Sequence, residues 1–164
     1  MRSKLTGYDV GALLYCPANA HGSIVGAIVE QRFPTPYSLA FCLEDTVRAD
    51  ALAAAEQAVE QTLHDLTDTA RQETFYRPLT FVRVRSPEQL ARLGRAYGKY
   101  RPLLTGFILP KFFIETCGAY CAVIRDLQAD ELDYFYMPVF EAPSMLPLHT
   151  RHAALAEVKA QLDA

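Results

Sequence analysis

Leu39-Ala-Phe-Cys-Leu43 is a short apolar run that stops abruptly at two adjacent carboxylates, Glu44 and Asp45. An apolar run of this length, placed ahead of a helical pattern, predicts a strand buried on both faces, as in a parallel sheet. Side chains alternate along a strand, so Glu44 and Asp45 should leave its carboxyl end in different directions. In α/β proteins the carboxyl ends of the strands are where ligands bind. A plainer role is also open to this stretch, because Asp45 or Asp50 could simply cap the next helix.

The rest of the chain repeats the theme. Gly11–Cys16 reads as a first strand, closed by Pro17, and His21–Gln31 as a first helix with Ile24, Val25 and Ile28 to one side. After the Pro34-Thr-Pro36 turn and the strand Ser38–Leu43 comes an alanine-rich helix, about Ala49 to Thr69, of high intrinsic propensity. Its Leu52, Ala55, Val59, Leu63 and Leu66 keep the spacing of one amphipathic face.

Leu79–Arg85 is the third strand. Ser86-Pro-Glu-Gln89 then predicts a helix start, with Ser86 as N-cap, Pro87 at the first helical position and Gln89 completing a capping box. That helix should reach about Tyr100. Thr105–Pro110 follows as strand, Ile114–Leu127 as helix, Asp133–Phe140 as strand and Thr150–Leu162 as helix.

These strand–helix units average about thirty-three residues, the spacing of a (β/α) barrel or a doubly wound sheet. The expected fold class is α/β with parallel (β/α) units, about five of the eight of a TIM barrel, in a single partial barrel domain over residues 1–164. A full barrel takes roughly 250 residues, so the chain is expected to be either an open sheet or the front part of a barrel. In both cases the first and last strands are open edges, which predicts a homo-oligomer.

Composition narrows the function classes. A net charge of −3, with no basic run, gives no reason to expect a nucleic-acid partner. No stretch approaches a membrane span, and Met1-Arg-Ser-Lys4 lacks a leader's apolar run, so a cytoplasmic protein without a membrane partner is expected. Cys16 and Cys42 lie in apolar runs, while Cys117 and Cys121 stand four apart on a helix. With no matching His or Cys pair to complete a zinc site, core packing is the expected role of all of them.

Charged residues gather at the strand ends. The third strand ends with Arg83 and Arg85, the fourth is followed by Lys111, the fifth by Glu141. With adjacent parallel strands, Glu44, Asp45, Arg83, Lys111 and Glu141 would share one rim. Carboxylates there suit Mg²⁺, and an Arg offers a bidentate fork for a substrate carboxylate or an enolate oxygen. A structural network, in which Lys111 and Arg83 balance Glu44 and Glu141, would use the same residues.

Five motifs in order carry a resemblance: Leu13-Leu-Tyr-Cys-Pro-Ala-Asn19, Ser38 to Val47, Phe81-Val-Arg-Val-Arg-Ser-Pro-Glu-Gln89, Leu104-Thr-Gly-Phe-Ile-Leu-Pro-Lys-Phe112 and Met137-Pro-Val-Phe-Glu-Ala-Pro-Ser-Met145. With them the chain resembles the HpcH/HpaI aldolase and citrate lyase beta-subunit superfamily, the carbon–carbon bond lyases of the TIM-barrel fold. Cys42-Leu-Glu-Asp45, the Arg-Val-Arg strand, the Pro-Lys-Phe turn and Thr150-Arg151 are similar to the branch found with tellurium-resistance gene clusters. The resemblance implies Mg²⁺-dependent aldol-type chemistry on a small keto-acid or acyl substrate. By position, Glu141 and Glu44 would serve the metal, and Arg83, Asp45 and Lys111 the catalysis. The chain departs from the family in three ways. The family's Asp after a sixth strand has no counterpart before Ala164, and the strands that close the barrel are absent; the chain is therefore expected to be truncated. Asn19-Ala-His-Gly22 stands where coenzyme A-using members carry a basic residue, which weakens a coenzyme A assignment. A non-catalytic α/β binding or assembly module with the same acidic rim is the alternative.

Overall fold

The computed structural model describes residues 5–19, 21–141, 143 and 146–163. The amino-terminal stretch Met1–Lys4 and parts of the motif after Phe140 lie outside the described residues. The apolar runs become strands and the periodic segments helices, in the order β1 (Leu13–Pro17), α1 (His21–Val29), β2 (Ser38–Cys42), α2 (Leu52–Gln72), β3 (Leu79–Arg83), α3 (Pro87–Ala96), β4 (Leu104–Leu109), α4 (Ile114–Ala129), β5 (Phe135–Pro138) and α5 (Leu148–Asp163). The five strands are parallel and form one sheet in the order β1-β2-β3-β4-β5. That is the partial TIM-barrel arrangement expected from the alternation of elements.

The chain divides into two units, Met1–Arg83 with Tyr97–Gly106, and Val84–Ala96 with Phe107–Ala164. In the first, every residue of β2 is buried, as a strand covered on both faces requires. Leu39, Phe41 and Leu43 are each 2% exposed or less. The predicted face of α2 is buried at Ala55, Val59, Leu63 and Leu66, whereas Leu52 is half-buried at the helix start. Thr62 joins the buried set because its hydroxyl donates back to the Ala58 carbonyl at 2.8 Å, which satisfies its polar atom within the helix. Register is set by rows across the strands: Leu13, Ser38 and Leu79; Tyr15, Ala40 and Phe81; Pro17, Cys42 and Arg83.

In the second unit, the Val139 N–H donates to the Leu109 carbonyl at 2.9 Å and the Phe112 N–H to the Val139 carbonyl at 3.0 Å. Helices α3 and α4 approach so closely that a Cβ on Gly94 would stand 2.7 Å from Leu127 Cδ1. The Tyr134 hydroxyl donates to the Gly94 carbonyl at 2.7 Å, and its ring meets Phe107 edge-on at 4.9 Å. All four cysteines are buried and unbridged; the Cys117 thiol donates to Gln161 Oε1 at 2.9 Å.

Several boundaries differ from the expectation. Strand β3 ends at Arg83 rather than Arg85. Helix α3 stops at Ala96, and a separate short turn, Gly98–Tyr100, follows. Gly98 is a poor helix former, and the Tyr97 side chain is tied to the Glu56 carbonyl at 2.9 Å, so a tertiary contact outbids helix continuation there. At the start of α3 the Ser86 hydroxyl accepts from the Gln89 N–H at 3.3 Å, as a cap should. The Gln89 side chain, however, accepts from the Arg85 N–H at 2.6 Å, one residue upstream of its expected capping-box partner.

Candidate active site

Ser38–Cys42 delivers Glu44 and Asp45 just past the end of β2, and Leu79–Arg83 delivers Arg83 as the last residue of β3. The Leu43 N–H donates to the Arg83 carbonyl at 3.0 Å, which locks the two strand ends together. Arg83 Nη2 lies 2.5 Å from Glu44 Oε2 and 3.2 Å from Asp45 Oδ2. The two carboxylates therefore leave the strand differently yet meet at one nitrogen. Their surroundings differ sharply: the Glu44 side chain is 8% exposed and that of Asp45 63%. Glu44 is the buried half of an ion pair, and Asp45 closes the solvent side.

A capping role for these carboxylates does not hold. Helix α2 has Ala51 at its N-cap with no side-chain cap bond, and Asp50 pairs instead with Arg48 at 3.1 Å. Thr46 contributes locally, its hydroxyl donating to the Cys42 carbonyl at 3.0 Å and fixing the turn that carries the acidic pair.

Tyr15 was not among the residues singled out from the sequence. The Arg83 guanidinium carbon lies over its ring, 5.9 Å from the centroid, within the range of a cation–π contact. The signal was present in Leu13-Leu-Tyr-Cys-Pro17, an aromatic residue two before the Pro that ends β1, but its significance depends on register with β3.

In the second unit, Lys111 sits in a left-handed turn, φ +50°, directly after β4. Its backbone N–H donates to Glu141 Oε1 at 3.3 Å, and its carbonyl accepts from the Thr116 hydroxyl at 2.7 Å. Lys111 and Glu141 are thus neighbours, both exposed, linked through the Lys111 backbone. Arg85 lies beyond the strand, half-buried, with its N–H held by Gln89.

Among the described residues no three His, Cys, Asp or Glu side chains are grouped as a ready metal cage. The carboxylates at the strand ends still suit a hard cation. Mg²⁺ is commonly held by one or two carboxylates, with water and substrate oxygens completing its octahedron. In the second unit the exposed Glu141 is a carboxylate of that kind, and in the first unit Glu44 is buried against Arg83.

Parallel strands in sequential order, each followed by a helix, are the arrangement of the TIM-barrel fold, whose sites lie at the carboxyl ends of the strands. The chain belongs, more particularly, to the family of C–C bond lyases of the TIM-barrel fold, whose family model matches residues 4–164. No curated protein matches it. Among the described residues no helix is long and apolar enough to cross a membrane.

Proposed function

We propose that the chain is a Mg²⁺-dependent carbon–carbon lyase of the HpcH/HpaI and citrate lyase beta-subunit type, acting on a small keto-acid or acyl substrate. The observation that carries this reading is the Arg83 guanidinium, fixed from behind by buried Glu44 and covered on its solvent side by exposed Asp45. An anionic substrate oxygen would reach Arg83 at the Asp45 side while Glu44 stays in place. Breaking the bond between the β and γ carbons of a γ-hydroxy-α-keto acid leaves its electron pair on the β carbon, delocalised into the α-keto oxygen as an enolate, while the γ-hydroxyl loses its proton and leaves as an aldehyde. Arg83 would donate to the developing oxyanion, and Asp45 would exchange a proton with the departing or incoming fragment. Lys111 would offset the negative charge of neighbouring Glu141. Exposed Glu141 would be the carboxylate that takes Mg²⁺, which would supply Lewis-acid polarisation of the α-keto oxygen when bound.

The test is calorimetric titration of the chain with Mg²⁺ or Mn²⁺, with and without oxalate as a planar mimic of an enolate. Binding should be abolished by Glu141→Gln, and oxalate binding by Arg83→Met. Metal and oxalate binding unaffected by either change would instead favour a non-catalytic assembly module. We also propose self-association through the first strand of the sheet, where Leu14 and Tyr15 are 36% and 49% exposed. A monomer by light scattering at high concentration would refute it.

A further inference from the structure

We infer that Tyr15 is a positioning residue for Arg83, its ring face holding the guanidinium in the orientation from which it receives an anionic substrate oxygen. The inference rests on the proposed role of Arg83 and deepens it. Tyr15, Ala40 and Phe81 form one row across β1, β2 and β3, and Pro17, Cys42 and Arg83 form the row two residues on. Two residues along a strand restore the same face, so Tyr15, Ala40, Cys42 and Arg83 share a side of the sheet. Neighbouring strands lie about 4.8 Å apart, so Tyr15 and Arg83 are separated by an intervening strand. The residues between them on that face are small, Ala40 and Cys42, both 1% exposed or less. Across these small side chains the guanidinium carbon lies 5.9 Å from the phenol ring centroid.

The contact complements the ion pairs. Glu44 and Asp45 both engage Nη2, so they fix the position of one nitrogen. The Tyr15 ring adds a contact of a different kind, which favours orientations that keep the cation over the ring face. The Arg83 side chain is only 12% exposed and Tyr15 is half-exposed.

The experiment compares wild type with Tyr15→Phe, which keeps the ring, and Tyr15→Leu, which removes it. Tyr15→Gln is a second ringless variant, suited to a half-exposed edge strand should the Leu variant fold poorly. Two quantities are read on the full chain: the Nε–H resonance of Arg83, assigned by its loss in Arg83→Lys, and the affinity for oxalate with Mg²⁺. Wild type and Tyr15→Phe should share a ring-shifted Arg83 resonance and bind oxalate within about twofold of each other. The ringless variants should lose that shift and bind oxalate about three- to tenfold more weakly. An unmoved Arg83 resonance in the ringless variants would overturn the inference, whatever the affinity does. So would equal weakening in Tyr15→Phe, which would assign the effect to the hydroxyl. If oxalate fails to bind wild type while the resonance responds as stated, the lyase reading falls and the Tyr15–Arg83 contact is upheld.

Discussion

Arg83 Nη2 and Glu44 Oε2 are 2.5 Å apart, and the two side chains are only 12% and 8% exposed. The pair joins the ends of β2 and β3 in a setting where water screens little of its attraction. Each partner offsets part of the cost of burying the other.

Removing one member should therefore be worse than removing both. Arg83→Met alone takes the paired cation from a buried carboxylate and should cost about 3–5 kcal/mol in urea unfolding. Arg83→Met with Glu44→Gln should recover a large part of that loss. Additive effects in the double variant would show that the two groups are not coupled.

The centre of the first unit should respond to loss of volume. Leu43 is fully buried at the end of the β2 run. Leu43→Ala is expected to lower stability by about 2–5 kcal/mol, the range for a buried leucine truncation that leaves a cavity. A thermal midpoint within error of wild type would remove β2 from the core.

Crowding is the sensitivity of the second unit. A Cβ at position 94 would fall 2.7 and 2.9 Å from the two Cδ atoms of Leu127, a side chain that is itself fully buried and would have to shift. Gly94→Ala should destabilise by about 1–3 kcal/mol despite the better helix propensity of alanine. Combined with Leu127→Ala, the loss should be smaller than the sum of the single losses, because the clash is gone.

Alkaline pH should weaken the fold. Burial pushes the thiols of Cys16, Cys117 and Cys121 above their ordinary value of 9.0, and the Tyr37 phenol above 10.0. Groups whose folded pKa is raised keep their proton longer in the folded state than in the unfolded one. Their contribution is complete below the unfolded pKa and is lost as pH rises through the folded one. The urea midpoint should therefore hold between pH 7 and 8 and fall from about pH 9 upward. A midpoint that is level to pH 10.5 would mean that these groups are not desolvated.

The secondary structure and much of the core are local properties of this chain. The run Leu39–Leu43 and the spacing Ala55, Val59, Leu63, Leu66 identify a two-sided strand and a helix face, because apolar periodicity is written in consecutive residues. The positions of Glu44, Asp45, Arg83, Lys111 and Glu141 at or just past strand ends were legible for the same reason. Tertiary structure decided which of them meet. Arg83 rather than Arg85 joins the acidic pair because β3 ends at Arg83 and the Arg85 N–H turns to Gln89. Tyr15 reaches Arg83 only because register places small Ala40 and Cys42 between their strands. Lys111 meets Glu141 through its backbone because the turn after β4 is left-handed. Helix α3 ends early because Tyr97 finds a partner at Glu56, distant in sequence. Periodicity depends on neighbours along the chain, whereas register, ion-pair choice and helix termination depend on groups that folding alone brings within reach.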